Sequence, residues 1–459
     1  MDIGLGFMLN LFSGAAKMTY MVASAGKSIY VADKARGYIS NLHKQCYETN
    51  VKNRGILLTK QYSGSLPMLK QETFLIEPSA EEVEIALLPA QKMGTLDNVI
   101  IAGGRKAIRN KTIATLVANA LQNNLSAIVL HTDNYELSQL LRNNEIGYRI
   151  NIVERGALSY NPFIKMNSFE ISRMLFESIP EKYSVKFVAR DLIRVACEII
   201  IAQGLVPSPA TLASCPLLEL VRLLNKMIEK GKIAKYEGER LISDYTASQQ
   251  EARSLFHFLN DLGSQLRGIT NDNGANSCDI VTAIENSDAI MLNIGSNSND
   301  LTMGLVMNNF KQLLDQGRQF VFIIDGIDLS KYKQLLELTL HNRSGFVLSH
   351  DDLFSSVGGD EKIFKAITGE AGKVIIHSTS SGFSCKQWSD YLSDYERHEP
   401  KDSINVGSQG IVGQNVNQGT TVDIKREARV PPEILNQLQG TQACIYDGYS
   451  NAILFADIL

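Results

Sequence analysis

Apolar positions along the chain change their spacing in blocks, and the blocks define the elements. Residues 1–50 follow a helical spacing, with small residues (Gly14, Ala15, Ala16, Ala23, Ser24, Ala25) that permit close helix packing. Residues 51–90 carry short β-like runs: Gly55-Ile56-Leu57-Leu58, Thr73-Phe74-Leu75-Ile76 and Val83-Glu84-Ile85-Ala86-Leu87-Leu88, the last ended by Pro89. These predict a small antiparallel flap leading into a main sheet. From Asn98, short apolar runs alternate with amphipathic stretches. Strands are predicted at Asn98–Ala102, Ala127–Leu130, Tyr148–Val153, Ala289–Ile294, Gln319–Asp325, Gly345–Ser349 and Lys373–His377. Such runs, with helices between them, predict an α/β fold whose mostly parallel sheet is covered on both faces.

Between residues 166 and 269 the strand runs stop. Ser168–Ile179, Val185–Gln203, Pro209–Lys230 and Ala247–Leu266 show i, i+3, i+4 apolar spacing and predict an all-α insertion. Ser208 is its clearest N-cap, with Pro209 in the first helical position. The turn Tyr160-Asn161-Pro162-Phe163 precedes the insertion, and a linker containing Asn271-Asp272-Asn273-Gly274 follows it. The chain thus divides into a helical N-terminal segment (1–50), a small β segment (51–90), an α/β domain (91–165 with 270–459) and the insertion (166–269). Residues 400–420, rich in Gly, Asn and Gln, read as a solvated loop or hairpin. Arg429–Leu435 forms a Pro-started helical turn before a final hairpin of Ala443–Tyr446 with Ile453–Ala456, turning at Asp447-Gly448.

Composition narrows the classes. A chain of 459 residues supports two or three domains, and 44% hydrophobic with 20% charged residues is ordinary for a soluble globular protein. A net charge of −4 excludes a dominant basic surface and leaves nucleic acid only a local groove. Cys46, Cys197, Cys215, Cys278, Cys385 and Cys444 form no C-x-x-C pair and have no His at metal-ligand spacing. They read as reduced, cytosolic thiols. Met1-Asp2 lacks the basic start of a secretory signal. The apolar run Ile3–Ala16, interrupted by Lys17, is too short to span a bilayer. It reads either as a buried or partner-facing helix or as a segment in the membrane interface. The expected location is cytoplasmic, at the inner membrane face in the second case.

The stretch with the most chemistry is Asn98–Leu121, a strand, a Gly-containing turn and a helix predicted to begin near Lys111-Thr112. That order suits a phosphate site, because a helix N-terminus presents free N–H groups and a positive dipole end. The P-loop pattern G-x-x-x-x-G-K-[ST] would place Gly at 105 and 110. Arg105 and Asn110 stand there, with Gly103 and Gly104 just ahead, while Lys111 and Thr112 fit. A second triplet, Gly26-Lys27-Ser28, has no strand before it and reads as chance. The most strongly apolar strand, Gln319–Asp325, ends in a carboxylate.

In order, these pieces resemble the coupling-protein ATPases of type IV secretion and conjugation, in the DNA-translocase branch of the P-loop NTPases. The resemblance covers roughly residues 90–459. It rests on the near-P-loop, the strand ending at His131-Thr132-Asp133, the Asn161-Pro162 turn, the helical insertion, the strand ending at Asp325 and the Pro431-Pro432-Glu433-Ile434-Leu435 segment. It implies a RecA-like sheet, ATP and Mg²⁺ as cofactors, partners in the secretion or conjugation machinery, a DNA or protein substrate, and a homo-oligomeric ring. It also implies site residues. Gly103, Gly104, Asn110, Lys111 and Thr112 take the nucleotide-binding places, and Thr112 and Asp325 the Mg²⁺ places. Asp328 stands near the missing general base, Arg343 in the place of an arginine finger, and His350 in that of a γ-phosphate sensor.

The chain departs from the pattern at two places. The residue after Asp325, where the family has the Glu that orients the attacking water, is Gly326. The glycines that close amides on phosphate are out of register. The family also commonly begins with transmembrane helices, which this chain does not show. Two readings follow: a degenerate coupling-protein-like scaffold that recruits substrate or partners with weak or no ATP turnover, or an active hexameric motor. The departures favour the scaffold. A generic α/β protein with a coincidental Lys-Thr is opposed by the Asn161-Pro162 turn and the insertion.

Overall fold

The computed structural model describes residues 26–59, 74–76, 91–92, 95–96, 98–143, 150–153, 159–266, 277–294, 300–315, 319–341, 345–408 and 414–458. In chain order its strands are β1 (Ile56–Thr59), β2 (Phe74–Ile76), β3 (Gln91–Lys92), β4 (Thr95–Leu96), β5 (Asn98–Ala102), β6 (Ser126–His131), β7 (Ile150–Val153) and β8 (Ser159–Tyr160). After the helical region come β9 (Ser277–Cys278), β10 (Ala289–Asn293), β11 (Phe320–Asp325), β12 (Phe346–His350) and β13 (Ala371–Ile376). Last are β14 (Asp394–Ser408), β15 (Gln414–Ala428), β16 (Gln442–Asp447) and β17 (Ala452–Asp457).

Eleven of these form one sheet in the order β2-β1-β17-β16-β13-β5-β12-β11-β6-β10-β7. From β13 to β7 every neighbour pair is parallel, as the continuous apolar runs predict. β16 joins β13 antiparallel and pairs with β17 as the expected final hairpin. The segment 51–90 was expected to form a small antiparallel flap leading into the main sheet. Its described strands extend the main sheet itself, β1 next to β17 and β2 at the edge. The run Val83–Leu88 lies outside the described residues.

One sheet face buries Val99, Ile101, Val129, Val321, Ile323 and Ile375 beneath Ile113, Leu116, Val117 and Ala120 of the helix Lys106–Gln122. Each such aliphatic side chain contributes about 1.5–3 kcal/mol when fully buried. Because the central strands are parallel, the carboxyl ends of β5, β6, β10, β11, β12 and β13 all meet at one sheet edge. Open α/β sheets place their sites at such an edge.

The described elements of the insertion are helices joined by turns, with their own core, including Leu192, Ile193, Ile199, Leu224, Leu255, Phe258 and Leu262. β8 and β9 pair in parallel at its neck, and Asn161 N–H donates to Cys278 O at 3.0 Å. Ser208 caps with Pro209 at the first position, as expected. The predicted helix Pro209–Lys230 is instead two, Pro209–Ala213 and Leu220–Glu229, because Pro216 cannot continue the first. A helix at Lys235–Ser248 escaped the spacing argument, since Leu241 and Tyr245 are its only fully buried large apolar side chains, with Ile242 partly buried beside them.

The described residues form two compact units, one of which groups the helix Gly26–Arg54 with β14 and β15. The described residues of 400–420 take the hairpin form of that reading, as part of a two-stranded antiparallel ribbon with 15 residues in each strand. Their Gly, Asn and Gln content hides the strands, because those residues carry weak β propensity. The ribbon root is clamped reciprocally: Arg54 Nε donates to Arg429 O at 3.0 Å, and Arg429 Nε to Arg54 O at 2.8 Å. The Arg54 guanidinium lies 5.5 Å from the Tyr395 ring centre.

Candidate functional site

β5 ends at Ala102, and after a turn of three residues the chain is helical, with Arg105 as N-cap and Lys106 the first helical residue. The helix thus starts five residues before the expected Lys111. Nothing in Ala107-Ile108-Arg109-Asn110 opposes a helix, and the glycines that would hold a longer loop open are absent. Lys111 is exposed in the second turn. Thr112 is buried, donates to Ile108 O at 3.3 Å and lies 3.4 Å from His377 Nε2. Neither stands at the helix N-terminus, where Arg105 and Lys106 stand instead, and no side chain caps that end.

The two glycines make the short turn. Both are left-handed, with φ of +75° and +71°. A Cβ on Gly103 would lie 2.7 Å from His377 O, and one on Gly104 would lie 2.8 Å from His377 Cβ. Gly103 N–H donates to His350 O at 3.0 Å and Gly104 N–H to Ser378 O at 2.7 Å. Arg109 Nη1 donates to both glycine carbonyls, at 3.2 and 2.7 Å. The amides and carbonyls of the two glycines are therefore spent on neighbouring strand ends and on Arg109.

Asp325 ends β11 and is 3% exposed. Ser349 Oγ donates to its Oδ1 at 2.8 Å, and Asn134 Nδ2 donates to its Oδ2. Asn134 also exchanges amide hydrogen bonds with Asn110, at 2.7 and 3.2 Å, and accepts Leu137 N–H at 3.3 Å, which begins the helix Tyr135–Asn143. Asn110 is thus a helical residue whose side chain completes a buried network, not the last turn of a loop. The structure brings Asn110 and Asp325 into this one network.

Asp328 belongs to a separate turn. It accepts Ser330 N–H and Oγ–H, at 3.1 and 2.6 Å, and pairs with Lys331 at 3.3 Å. Burial raises its carboxyl, but the hydrogen bonds from Ser330 and Lys331 outweigh that and hold it below the usual range. Gly326 has φ of +65°, and Thr132 Oγ1 donates to its carbonyl. His350 Nδ1 pairs with Asp351 at 2.8 Å, while its carbonyl holds Gly103. That hydrogen bond holds the Asp351 carboxyl far below the ordinary value, and the charge of Arg109 adds to it. Arg343 lies outside the described residues. Among the described residues, no three or more His, Cys, Asp and Glu side chains are arranged to hold a metal ion.

Two further histidines, given no role by the sequence, sit at the same strand ends. Each stands at or just beyond the end of an apolar strand, the one sequence signal they carry. His131 Nδ1 lies 3.1 Å from Asn134 N–H, which it accepts. His377 Nδ1 lies 3.2 Å from Gln442 O. Burial pushes both imidazoles down to about 4, with the charge of Lys106 adding at His131. The fold therefore holds both neutral, while the unfolded chain protonates them below about pH 6.5. Their stabilising effect is complete above that value and is lost as pH falls toward 4. The expected loss is about 3 kcal/mol per histidine, checked by urea unfolding from pH 7 to 4 and flattened in His131→Gln or His377→Gln.

No protein-family model matches the chain, and no curated protein matches it. Among solved structures it is similar to the bacterial conjugative coupling protein TrwBdeltaN70 in an unbound form, at 13% identity over 83% of this chain and 91% of that one, with a TM-score of 0.49. The plasmid coupling protein TrwB in complex with ADP and Mg²⁺ is similar at 14% identity, 83% and 92% coverage and a TM-score of 0.48. VirB4 of Thermoanaerobacter pseudethanolicus is similar at 11% identity, 79% and 89% coverage and a TM-score of 0.40. Among the described residues, no helix is long and apolar enough to cross a membrane.

Proposed function

We propose that this chain is a coupling-protein-like component of a secretion or DNA-transfer system that recruits substrate or partners, with weak or no ATP turnover. One observation carries the second half. The turn between β5 and its helix is three residues long, and both glycine amides donate within the protein. A P-loop needs a longer loop whose amides stay free to close on phosphate. Asp325 has its two oxygens taken by Asn134 and Ser349, and Gly326 supplies no carboxylate to orient a water. Mg²⁺ and ATP do not fit this arrangement. The secretion or conjugation context rests on the order of motifs along residues 90–459. The partners are then proteins of that machinery, on the cytoplasmic side of the inner membrane.

Calorimetric titration with Mg-ATP tests this. No saturable heat is expected at millimolar nucleotide, and Lys111→Ala is expected to leave both the titration and the stability unchanged, within about 0.5 kcal/mol for an exposed site. Micromolar binding that Lys111→Ala abolishes, or phosphate release that Asp325→Ala abolishes, would restore the hexameric motor.

A further inference from the structure

We propose that the outer edge of β15 is a self-association surface, at which a second copy of this chain adds antiparallel about a two-fold axis through Ile424. This does not depend on the nucleotide reading. The two edges of the ribbon are treated differently. The β14 edge is covered by the helix Gly26–Arg54: Asn50 Nδ2 donates to His398 O at 3.1 Å, His398 N–H donates to Asn50 Oδ1 at 2.7 Å, and Asn53 Nδ2 donates to Glu396 O at 3.0 Å. Both backbone groups of His398 therefore point away from β15. Its cross-strand partner is Ile424. In such an antiparallel pair the partner's N–H and C=O point outward as well. With a period of two, the backbone groups of Val422, Ile424 and Arg426 line the free edge of β15. Among the described residues, β15 pairs only with β14.

An uncovered edge is a template for another strand, and natural sheets blunt it with proline, bulges or charge. Residues 420–428 contain no proline, and the register with β14 runs through them without a bulge. Ile424 is 57% exposed and Val422 39%. The charges select a register. On one face of the ribbon, Asp423 pairs with Lys401 at 2.5 Å and Lys425 with Glu399 at 2.6 Å. Antiparallel pairing about Ile424 sets Asp423 against the partner's Lys425, and Lys425 against the partner's Asp423. A row of alternating sign then runs Lys401, Asp423, the partner's Lys425, the partner's Glu399. Registers centred on Asp423, Lys425 or Arg426 set like charges against each other on the axis. The register centred on Val422 pairs Asp423 with Thr421 and has no complementary charges. Only the axis through Ile424 joins apolar to apolar and opposite charge to opposite charge.

The test is sedimentation equilibrium of the full chain at up to about 100 µM, a range that detects weak self-association. The wild type is expected to be a dimer. Ile424→Pro is expected to be monomeric with an unchanged circular dichroism spectrum, since the lost N–H faces outward. Lys425→Asp, which sets two aspartates against each other, is expected to weaken the dimer about tenfold or more, and Asp423→Lys/Lys425→Asp to restore it. A monomeric wild type would overturn the proposal. So would a dimer that survives both single substitutions, or an exchanged pair no tighter than Lys425→Asp. If Ile424→Pro fails to fold, the charge exchange decides alone.

Discussion

Replacing Gly103 by alanine is expected to destabilise the sheet-bearing unit by about 2–5 kcal/mol, from the left-handed backbone and from overpacking together. The backbone term arises because φ is +75°. The packing term arises because the new Cβ would meet three atoms at 2.7–2.8 Å, two of them backbone carbonyl oxygens that cannot rotate away. Those oxygens belong to His377 and Ser378, and Ser378 O already accepts Gly104 N–H. Gly204→Ala and Gly231→Ala provide the comparison. They have φ of +78° and +68° but no atom within 4 Å of an added Cβ. Only the backbone term remains there, about 1–2 kcal/mol. Urea unfolding midpoints should separate the two groups. If Gly103→Ala costs no more than Gly204→Ala, the turn is not pinned against His377 and Ser378, and room for a phosphate loop returns.

Asn134→Ala should cost about 1–3 kcal/mol or more, because it leaves one oxygen of a buried carboxylate without its donor. One side chain serves Asp325, Asn110 and the start of the helix Tyr135–Asn143. After the substitution, one Asp325 oxygen loses its donor in a site that is 3% exposed. The loss should shrink when the charge is also gone. A double-mutant cycle of Asn134→Ala with Asp325→Ala is therefore expected to show a coupling of about 1.5–3 kcal/mol, the range for a hydrogen bond to a charged group. Additive losses would mean that Asp325 is solvated by other means, and a carboxylate free to hold Mg²⁺ through water would again be credible.

The sequence alone carried much of the architecture. Val321, Ile323 and their neighbours form an unbroken apolar run because β11 is covered on both faces, and that burial is written directly into composition. Several helices between Ser168 and Gln265 were legible from spacing, and the Ser208-Pro209 start from local chemistry. The ribbon was legible only as a hairpin. Its stability comes from cross-strand ion pairs and from Asn50, more than 300 residues away, neither of which leaves a periodic apolar signal. The N-terminal helix likewise joined the ribbon unseen, because a reciprocal Arg54–Arg429 clamp has no local pattern.

At the candidate site the division is sharper. The sequence determined which residues stand near the carboxyl ends of the central strands, and that a glycine, Gly326, follows Asp325. It also determined that Gly103 and Gly104 form a turn, since few other residues accept a left-handed backbone there. Where the helix begins, and whether the turn's amides remain free, were decided only by the tertiary structure. His350, Ser378, Ser349 and Asn134 supply the acceptors and donors, and three of the four lie more than 200 residues beyond the glycines. A motif specifies residue types along the chain. Whether a backbone N–H faces a phosphate or a neighbouring carbonyl depends on which strand end folds against it.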